Sequence, residues 1–246
     1  QNRVLTDHIS NLLLCPTQNA VDNLARENII ESVFNTGDVM YDSVLRYMET
    51  ANIRIGFAKC VKTVDRCADL DLQPSVEICD IKSDNYILAT IHRAENTDNT
   101  DGLKTIIESL NDSPYPVIFP VHPRTRKCIR DALDLLAERR ANILFIEPVG
   151  YLEMLILTEN AKKVVTDSGG LQKEAYFLRT PCITLRDETE WAETLIGGWN
   201  TLTPMDRDTI VKNISAEFDR EGTEQRLYFG DGKASERIAD IVSKAI

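Results

Sequence analysis

Two histidines, each followed within two residues by an arginine, open polar stretches that come directly after apolar segments. His92 begins "HRAENTD" and His122 begins "HPRTRK". The carboxyl ends of parallel strands meet at one edge of a sheet, and ligands bind at that edge. Arg93, Arg124 and Arg186 could neutralise phosphates or a carboxylate there through paired hydrogen bonds. A single histidine fits a structural role better, but the cluster as a whole favours an anion site.

The stretch "KVVTDSGGLQKEAYF" predicts a strand, a tight turn and a helix. Ser168 is a good N-cap, and Gly169 and Gly170 leave the backbone N–H groups of the turn open to a phosphate. An ordinary capped turn explains the same residues, because short glycine motifs match often. Glu174, further along this helix, either stabilises the helix N-terminus or accepts hydrogen bonds from a ribose diol.

Two further stretches offer candidates with two interpretations each. Tyr151 and Met154 in "PVGYLEM" fit either a contact with a base or core packing. Glu190 and Glu193 in "TEWAE" are i, i+3 neighbours if that segment is helical. They fit either a solvated helix face or, beside Arg186, a sugar-facing pair of carboxylates.

The charge, the apolar runs and the cysteine content of the chain argue against several classes of protein. The 246 residues carry a formal net charge of −11, which makes broad nucleic-acid binding improbable. No apolar run approaches the ~18 residues of a membrane span, and no signal sequence opens the chain. Six cysteines without C-x-x-C spacing and only three histidines make a zinc site improbable. We therefore expect a cytoplasmic protein with reduced thiols.

Apolar runs alternate with helical patterns, which predicts βαβ units and a doubly wound parallel sheet of the α/β class. The predicted strands are 86–91, 116–121, 142–147, 163–166, 182–185 and 199–202, and the predicted helices are 101–111, 124–139, 150–160, 170–178, 189–196, 206–219 and 235–245. The expected divisions are a short βα piece at 1–45, a connection at 46–84, a Rossmann-like domain at 85–235 and a last helix at 236–246.

Several motifs occur here in the same order as in the UDP-N-acetylglucosamine 2-epimerase family. They are "IHRAEN", "PVHPRTRK", "EPVGYLEM", "TDSGGLQKEA" and "LRDETEWAE", and "NRVLTDHIS", "CPTQNAVDNLARENI", "TGDVMYDS" and "YFGDGKAS" match as well. The chain resembles this family over essentially its whole length. "HPRTRK", "QKEAYF" and "DETEWAETLIGGWN" are most similar to the branch acting on UDP-2,3-diacetamido-2,3-dideoxyglucuronate.

The resemblance implies a glycosyltransferase-B-type fold, with two Rossmann-like domains facing each other across a cleft. Residues 1–45 would be the tail of the N-terminal domain, and 85–235 the UDP-binding C-terminal domain. His92 matches the active-site histidine, Ser168 to Gly170 the pyrophosphate cradle, and Glu174 the ribose-binding acid. The other residues implied on the substrate side are Arg93, Glu95, His122, Pro148, Tyr151, Met154, Arg186, Glu190 and Glu193. Met154 stands where relatives often have an aromatic residue against the uracil.

The implied activity is inversion at C2 of a UDP-sugar, without metal or nicotinamide, for cell-surface polysaccharide precursors. UDP is eliminated to leave a 2-acetamidoglycal and is then added back. A hydrolysing relative, a glycosyltransferase of the same architecture and a non-catalytic UDP-sugar-binding module remain alternatives. "HRAEN" and "DETEWAE" fit the epimerases better than the glycosyltransferases. Arg124 and Arg126 are candidates to bind a carboxylate at C6.

One departure from the family concerns proton transfer. The acidic residues credited with that step lie in the N-terminal domain of the family, and this chain opens at "QNRVLTDHIS" without them. We therefore expect the chain to supply the UDP-binding half, to bind UDP weakly and to turn over nothing alone. Measurable C2 epimerisation by this chain would contradict that expectation. The parent enzyme is expected to be a homodimer, as full-length relatives commonly are.

Overall fold

The computed structural model describes residues 2–70, 77, 80–133 and 142–245. The chain forms two compact units, one made of the chain up to Tyr47 together with the segment from Arg226, the other spanning Met48–Gln225. Within the described ranges, no helix has the length and apolar character needed to cross a membrane.

The elements alternate between strand and helix along most of the chain. The strands are β1 (Leu13–Cys15), β2 (Val33–Asn35), β3 (Ile87–Thr90), β4 (Val117–Pro120), β5 (Ile143–Ile146), β6 (Lys163–Thr166), β7 (Cys182–Thr184) and β8 (Asn200–Leu202). The α-helices are α1 (Asn2–Ile9), α2 (Gln18–Arg26), α3 (Val39–Arg54), α4 (Phe57–Thr63), α5 (Ala94–Thr97), α6 (Thr100–Asn111), α7 (Pro123–Leu133), α8 (Tyr151–Asn160), α9 (Gly169–Phe177), α10 (Arg207–Ser215) and α11 (Ala234–Ala245). Short 3₁₀ helices lie at Ala68–Leu70 and Ala192–Gly198.

The larger unit is built on a six-stranded parallel sheet in the order β5-β4-β3-β6-β7-β8. Sequence order reverses between β3 and β6, which pair directly with Thr90 opposite Thr166. The hydroxyl oxygens of these two threonines lie 2.7 Å apart in a buried hydrogen bond. The predicted doubly wound parallel sheet is confirmed, and its reversal point is where ligands of such folds bind.

The strands of this sheet lie in the core because most of their residues are apolar. Every residue of β3 to β7 is buried, and the runs are mostly apolar, as expected for strands covered on both faces. Burying one leucine or isoleucine side chain is worth roughly 1.5–3 kcal/mol. Helix α6 adds Leu103, Ile106 and Leu110 to the same core. Repeated burial of this kind makes the sheet a rigid base for the loops at its edges.

Three predicted helices differ from those observed. The pattern at 189–196 is a 3₁₀ helix, Ala192–Gly198, because the chain kinks at Ile196 and both Gly197 and Gly198 take a φ of +77°. The helix predicted at 206–219 ends earlier, at Ser215, where Ala216 becomes extended. The helix predicted at 124–139 is observed as α7, and its last part, from residue 134, lies outside the described residues.

The smaller unit contains the parallel pair β1 and β2 and joins two distant motifs. Asp38 in "TGDVMYDS" donates its backbone N–H to the carbonyl of Phe229 in "YFGDGKAS", at 2.8 Å. Gly37 has a φ of +83°, and a Cβ at that position would lie 3.0 Å from the same carbonyl oxygen. Glycine is therefore required at this contact between chain segments.

Five cysteines are described, and all five are free thiols: Cys15, Cys60, Cys67, Cys128 and Cys182. Cys79 lies outside the described residues. Burial raises the pKa of Cys182 to about 12 and that of Cys67 to about 11. These two thiols are therefore poor nucleophiles at neutral pH, since the thiolate is the reactive form.

Candidate functional site

A pocket of about 320 Å³ opens at the carboxyl edge of the large sheet, around the ends of β3, β4 and β6. This volume lies at the lower end of the range for small-molecule sites. The lining residues are Thr90, His92, Pro120, Val121, His122, Pro148, Val149, Met154, Ser168, Gly170, Leu171 and Glu174. Seven of the residues proposed from the sequence are among them, at the reversal point of the sheet.

The turn between β6 and α9 contributes Ser168 and Gly170 to the wall of this pocket. Ser168 is the N-cap of α9, and its hydroxyl accepts a hydrogen bond from the N–H of Leu171. A Cβ added to Gly169 would lie 2.6 Å from Oε1 of Glu190, so the Glu190 side chain in the loop after β7 would have to shift to admit it. The N-terminus of α9 carries partial positive charge and favours an anion here.

Glu174 lies on α9, six positions and about 1.7 helical turns beyond Ser168. Its carboxylate is largely buried at the pocket wall. Burial raises the pKa of Glu174, while a hydrogen bond from the Tyr151 side chain and the charge of Lys173 act in the opposite direction. The arrangement holds one carboxylate at a fixed distance from the helix N-terminus, as a sugar diol beside a phosphate would require.

The two histidines lie side by side, as expected from their positions after neighbouring strands. The rings of His92 and His122 have centroids 5.7 Å apart and are tilted by 38°. The His92 side chain is 40% exposed, so its imidazole is open to the pocket. Both rings can donate or accept hydrogen bonds at this edge of the sheet.

The loop after β7 holds the arginine and the two glutamates proposed from the sequence. Arg186 pairs with Glu190 at 2.8 Å, and the Arg186 side chain is mostly buried. Burial raises the pKa of Glu190, but hydrogen bonds from its own backbone and from Arg186, with the charges of Arg186 and Arg93, hold it below its usual range. Glu193 is buried, and neither of its carboxylate oxygens has a hydrogen-bond partner among the described residues.

The remaining sequence candidates fall outside the set of pocket-lining residues. Tyr151 reaches the site through its hydrogen bond to Glu174. Arg93 follows His92 and donates its backbone N–H to Asp167 at 2.9 Å. Glu95 is exposed in the first turn of α5. The substrate-binding roles of these residues, and of Gly169, Arg186, Glu190 and Glu193, stay predictions.

The arginines of "HPRTRK" have different positions. Arg126 forms ion pairs with Asp69, at 3.1 Å, and with Glu147. Its guanidinium group is therefore already paired with two carboxylates of this chain. The side chain of Arg124 lies outside the described part of the chain. Within that part, no group of three histidine, cysteine, aspartate or glutamate side chains could hold a metal ion.

Asp167, directly behind the pocket-lining Ser168, is a residue that the sequence candidates did not include. The carboxylate is fully buried beneath the histidine turn and accepts hydrogen bonds from backbone N–H groups of His92 and Arg93. Its donors lie about 75 positions earlier in the chain, at the end of another strand. Only the pairing of β3 with β6 brings these groups together.

The sequence model of the UDP-N-acetylglucosamine 2-epimerase family matches residues 1–243. This chain belongs to that family. A UDP-N-acetylglucosamine 2-epimerase homolog of Methanococcus maripaludis is 44% identical over 98% of this chain and 63% of its own length. The UDP-2,3-diacetamido-2,3-dideoxy-D-glucuronate 2-epimerase of Pseudomonas aeruginosa is 40% identical over 99% of this chain and 62% of its own length.

Solved structures of the epimerase family agree with this fold. The Methanocaldococcus jannaschii UDP-GlcNAc 2-epimerase, crystallised in complex with UDP-GlcNAc and UDP, superposes with a TM-score of 0.82 at 37% identity. That match covers 99% of this chain and 64% of the other. The Neisseria meningitidis enzyme bound to UDP-GlcNAc gives a TM-score of 0.78 at 27% identity, covering 99% and 64%. This chain thus spans less than two thirds of the length of these relatives.

Proposed function

We propose that this chain provides the UDP-binding part of a UDP-sugar 2-epimerase. The substrate is UDP-N-acetylglucosamine or its 2,3-diacetamido-glucuronate analogue, converted to the C2 epimer. The observation that carries the proposal is the pocket at the sheet reversal, where His92, His122, the α9 N-terminus and Glu174 converge. A nucleoside diphosphate matches these groups: its diphosphate fits beside the histidines and the α9 N-terminus, and its ribose fits beside Glu174.

Each part of UDP has a matching group in the pocket. The diphosphate binds at the α9 N-terminus, where Ser168 and Gly170 line the wall and the helix dipole favours negative charge. The ribose diol donates hydrogen bonds to Glu174. The uracil packs against the apolar side of the pocket, which includes Pro148 and Met154. Methionine gives apolar contact without the stacking that an aromatic ring would add.

The reaction proceeds by elimination and re-addition. A base removes the proton at C2 of the sugar, the C1–O bond breaks, and UDP leaves with the bonding electrons, forming a 2-acetamidoglycal. Protonation at C2 from the opposite face and return of UDP to C1 complete the inversion. The groups of this chain act on the leaving diphosphate, because N–H donors and a nearby imidazole stabilise its growing charge.

Calorimetric titration with UDP tests the proposal, using the wild-type chain, Glu174→Ala and His92→Ala. Binding should weaken in both variants, by about 1.5–3 kcal/mol for the loss of a hydrogen bond to a charged group, the diphosphate or the Glu174 carboxylate. Glu221→Ala, at an exposed position in the same unit, is the control and should bind as the wild type does. Absence of wild-type binding at millimolar UDP would contradict a preformed UDP site in this chain.

Three finer statements belong to the same proposal. The similarity of "HPRTRK" and "DETEWAETLIGGWN" to the diacetamido-glucuronate branch favours a substrate with a C6 carboxylate. The whole protein acts in the cytoplasm, in keeping with its reduced thiols, and it is a homodimer, as the family resemblance implies. Comparing binding of UDP-N-acetylglucosamine with that of its diacetamido-glucuronate analogue tests the first, and cell fractionation with sedimentation of the whole protein tests the others.

A further inference from the structure

The carboxylate of Asp167, at the end of β6, is fully buried and surrounded by donors from one neighbouring turn. Oδ2 accepts hydrogen bonds from the backbone N–H groups of His92, at 3.1 Å, and of Arg93, at 2.9 Å. It also accepts one from Nδ2 of Asn96, at 3.0 Å. All three donors belong to the segment that follows β3.

These bonds act on the orientation of the turn. Oδ1 of Asp167 lies 3.9 Å from Nε2 of His92, so the carboxylate is close to both the backbone and the ring of this residue. Asn96 also donates to the carbonyl of Leu185, at 3.4 Å, which connects the turn to the chain after β7. Asp167 therefore joins the ends of β3, β6 and β7 at the pocket.

Capping does not explain this carboxylate. Ser168 is the N-cap of α9 and accepts the N–H of Leu171. The hydrogen bonds of Asp167 run instead across the sheet, to residues about 75 positions away. A buried carboxylate is costly unless donors satisfy it, and here the turn that carries His92 supplies those donors.

We propose that Asp167 is a positioning residue for His92, because it holds the turn that carries the imidazole towards the diphosphate. This inference rests on the proposed function, because it assigns to Asp167 a share of diphosphate binding that acts through His92. Asp167 itself does not line the pocket. Its contribution should therefore disappear when the His92 side chain is removed.

A double-mutant cycle on the full chain tests this role. The variants are Asp167→Asn, His92→Gln and the combination, with affinities for UDP and for uridine measured by calorimetry and NMR titration. Each single change should weaken UDP binding about tenfold, and the double variant should be no weaker than His92→Gln. Uridine lacks the diphosphate, so its affinity should stay the same in all variants.

A second measurement needs no ligand. Hydrogen exchange of the His92 and Arg93 amides should be slow in the wild type and faster in Asp167→Asn, with the rest of the sheet unchanged. Asn96→Ala removes one donor and keeps the carboxylate, so it serves if Asp167→Asn fails to fold. Asp206→Asn, at the N-cap of α10, is the control and should leave both readouts unchanged.

The outcomes separate this inference from the proposed function. Additive losses in the double variant, or an equal loss of uridine binding, would overturn the positioning role while the UDP site stands. If the wild type binds no UDP, the proposed function fails, and exchange at the two amides decides whether Asp167 holds the turn. Unchanged exchange in the folded Asp167→Asn variant would overturn the inference in either case.

Discussion

The side chain of Tyr151, at the start of α8, forms a hydrogen bond with the carboxylate of Glu174 on α9. This bond stabilises the charged form of a carboxyl group whose pKa burial raises. The same carboxylate is the proposed acceptor for the ribose diol. The site therefore keeps a partly desolvated anion ready for a ligand that donates two hydrogen bonds.

Glu174→Gln should raise the thermal stability of the chain at neutral pH and weaken UDP binding. The folded-state pKa of Glu174 lies above its unfolded value, so protonation favours the fold and stability falls as the pH rises through the folded-state pKa. Glutamine is uncharged and so removes the free-energy cost of burying a charged carboxylate. The gain in stability over the wild type should vanish at acid pH, where Glu174 is itself protonated. Melting temperatures across the acid-to-neutral range check this, with Glu221→Gln as an exposed control; an equal gain at all pH values would contradict it.

Gly169→Ala should weaken UDP binding and destabilise the chain by about 1 kcal/mol. The added Cβ would lie 2.6 Å from Oε1 of Glu190, so that side chain must move away from Arg186. Denaturant unfolding measures the stability change. Adding Glu190→Ala removes the obstructing carboxylate, and the double variant should lose less stability than the sum of the single changes. Strict additivity would show that the close approach does not matter.

Lys163 should make the stability of the chain rise with pH in the alkaline range. It lies in β6, and burial lowers its pKa to about 8, while its ammonium group donates to the carbonyl of Asn213 at 2.6 Å. The folded state therefore binds fewer protons than the unfolded state between about pH 8 and the usual lysine value near 10.4. Relative to Lys163→Met, the wild type should gain stability across that interval. A pH-independent difference in unfolding free energy would contradict this.

UDP binding should change the fluorescence of Trp191 but not that of Trp199. Nε1 of Trp191 lies 3.6 Å from the Cβ position of Gly169, and Lys173 sits 4.0 Å from its ring centroid. Trp199 is buried and donates to the carbonyl of Glu224. The chain has two tryptophans, so Trp191→Phe and Trp199→Phe separate their signals. A response that survives in Trp191→Phe would place the ligand elsewhere.

The sequence was sufficient for the large sheet and insufficient for the contacts between its loops. The run 163–166 is recognisable because three of its four residues, Val164 to Thr166, are β-branched, and the observed strand Lys163–Thr166 has the predicted bounds. The segment 189–196 has helical spacing, but the left-handed Gly197 and Gly198 change its end, which periodicity does not show. The role of Asp167 was hidden because its partners belong to a different strand end.

The pairing of β3 with β6 has a consequence for the order in which the fold forms. The two strands are separated by more than 70 residues and by two complete strand–helix units, so closing this contact costs more chain entropy than the neighbouring pairings do. His92 and Ser168 come together only after that closure. A ligand that spans them would stabilise the longest-range pairing of the large sheet, so occupancy of the pocket would hold the two halves of that sheet together.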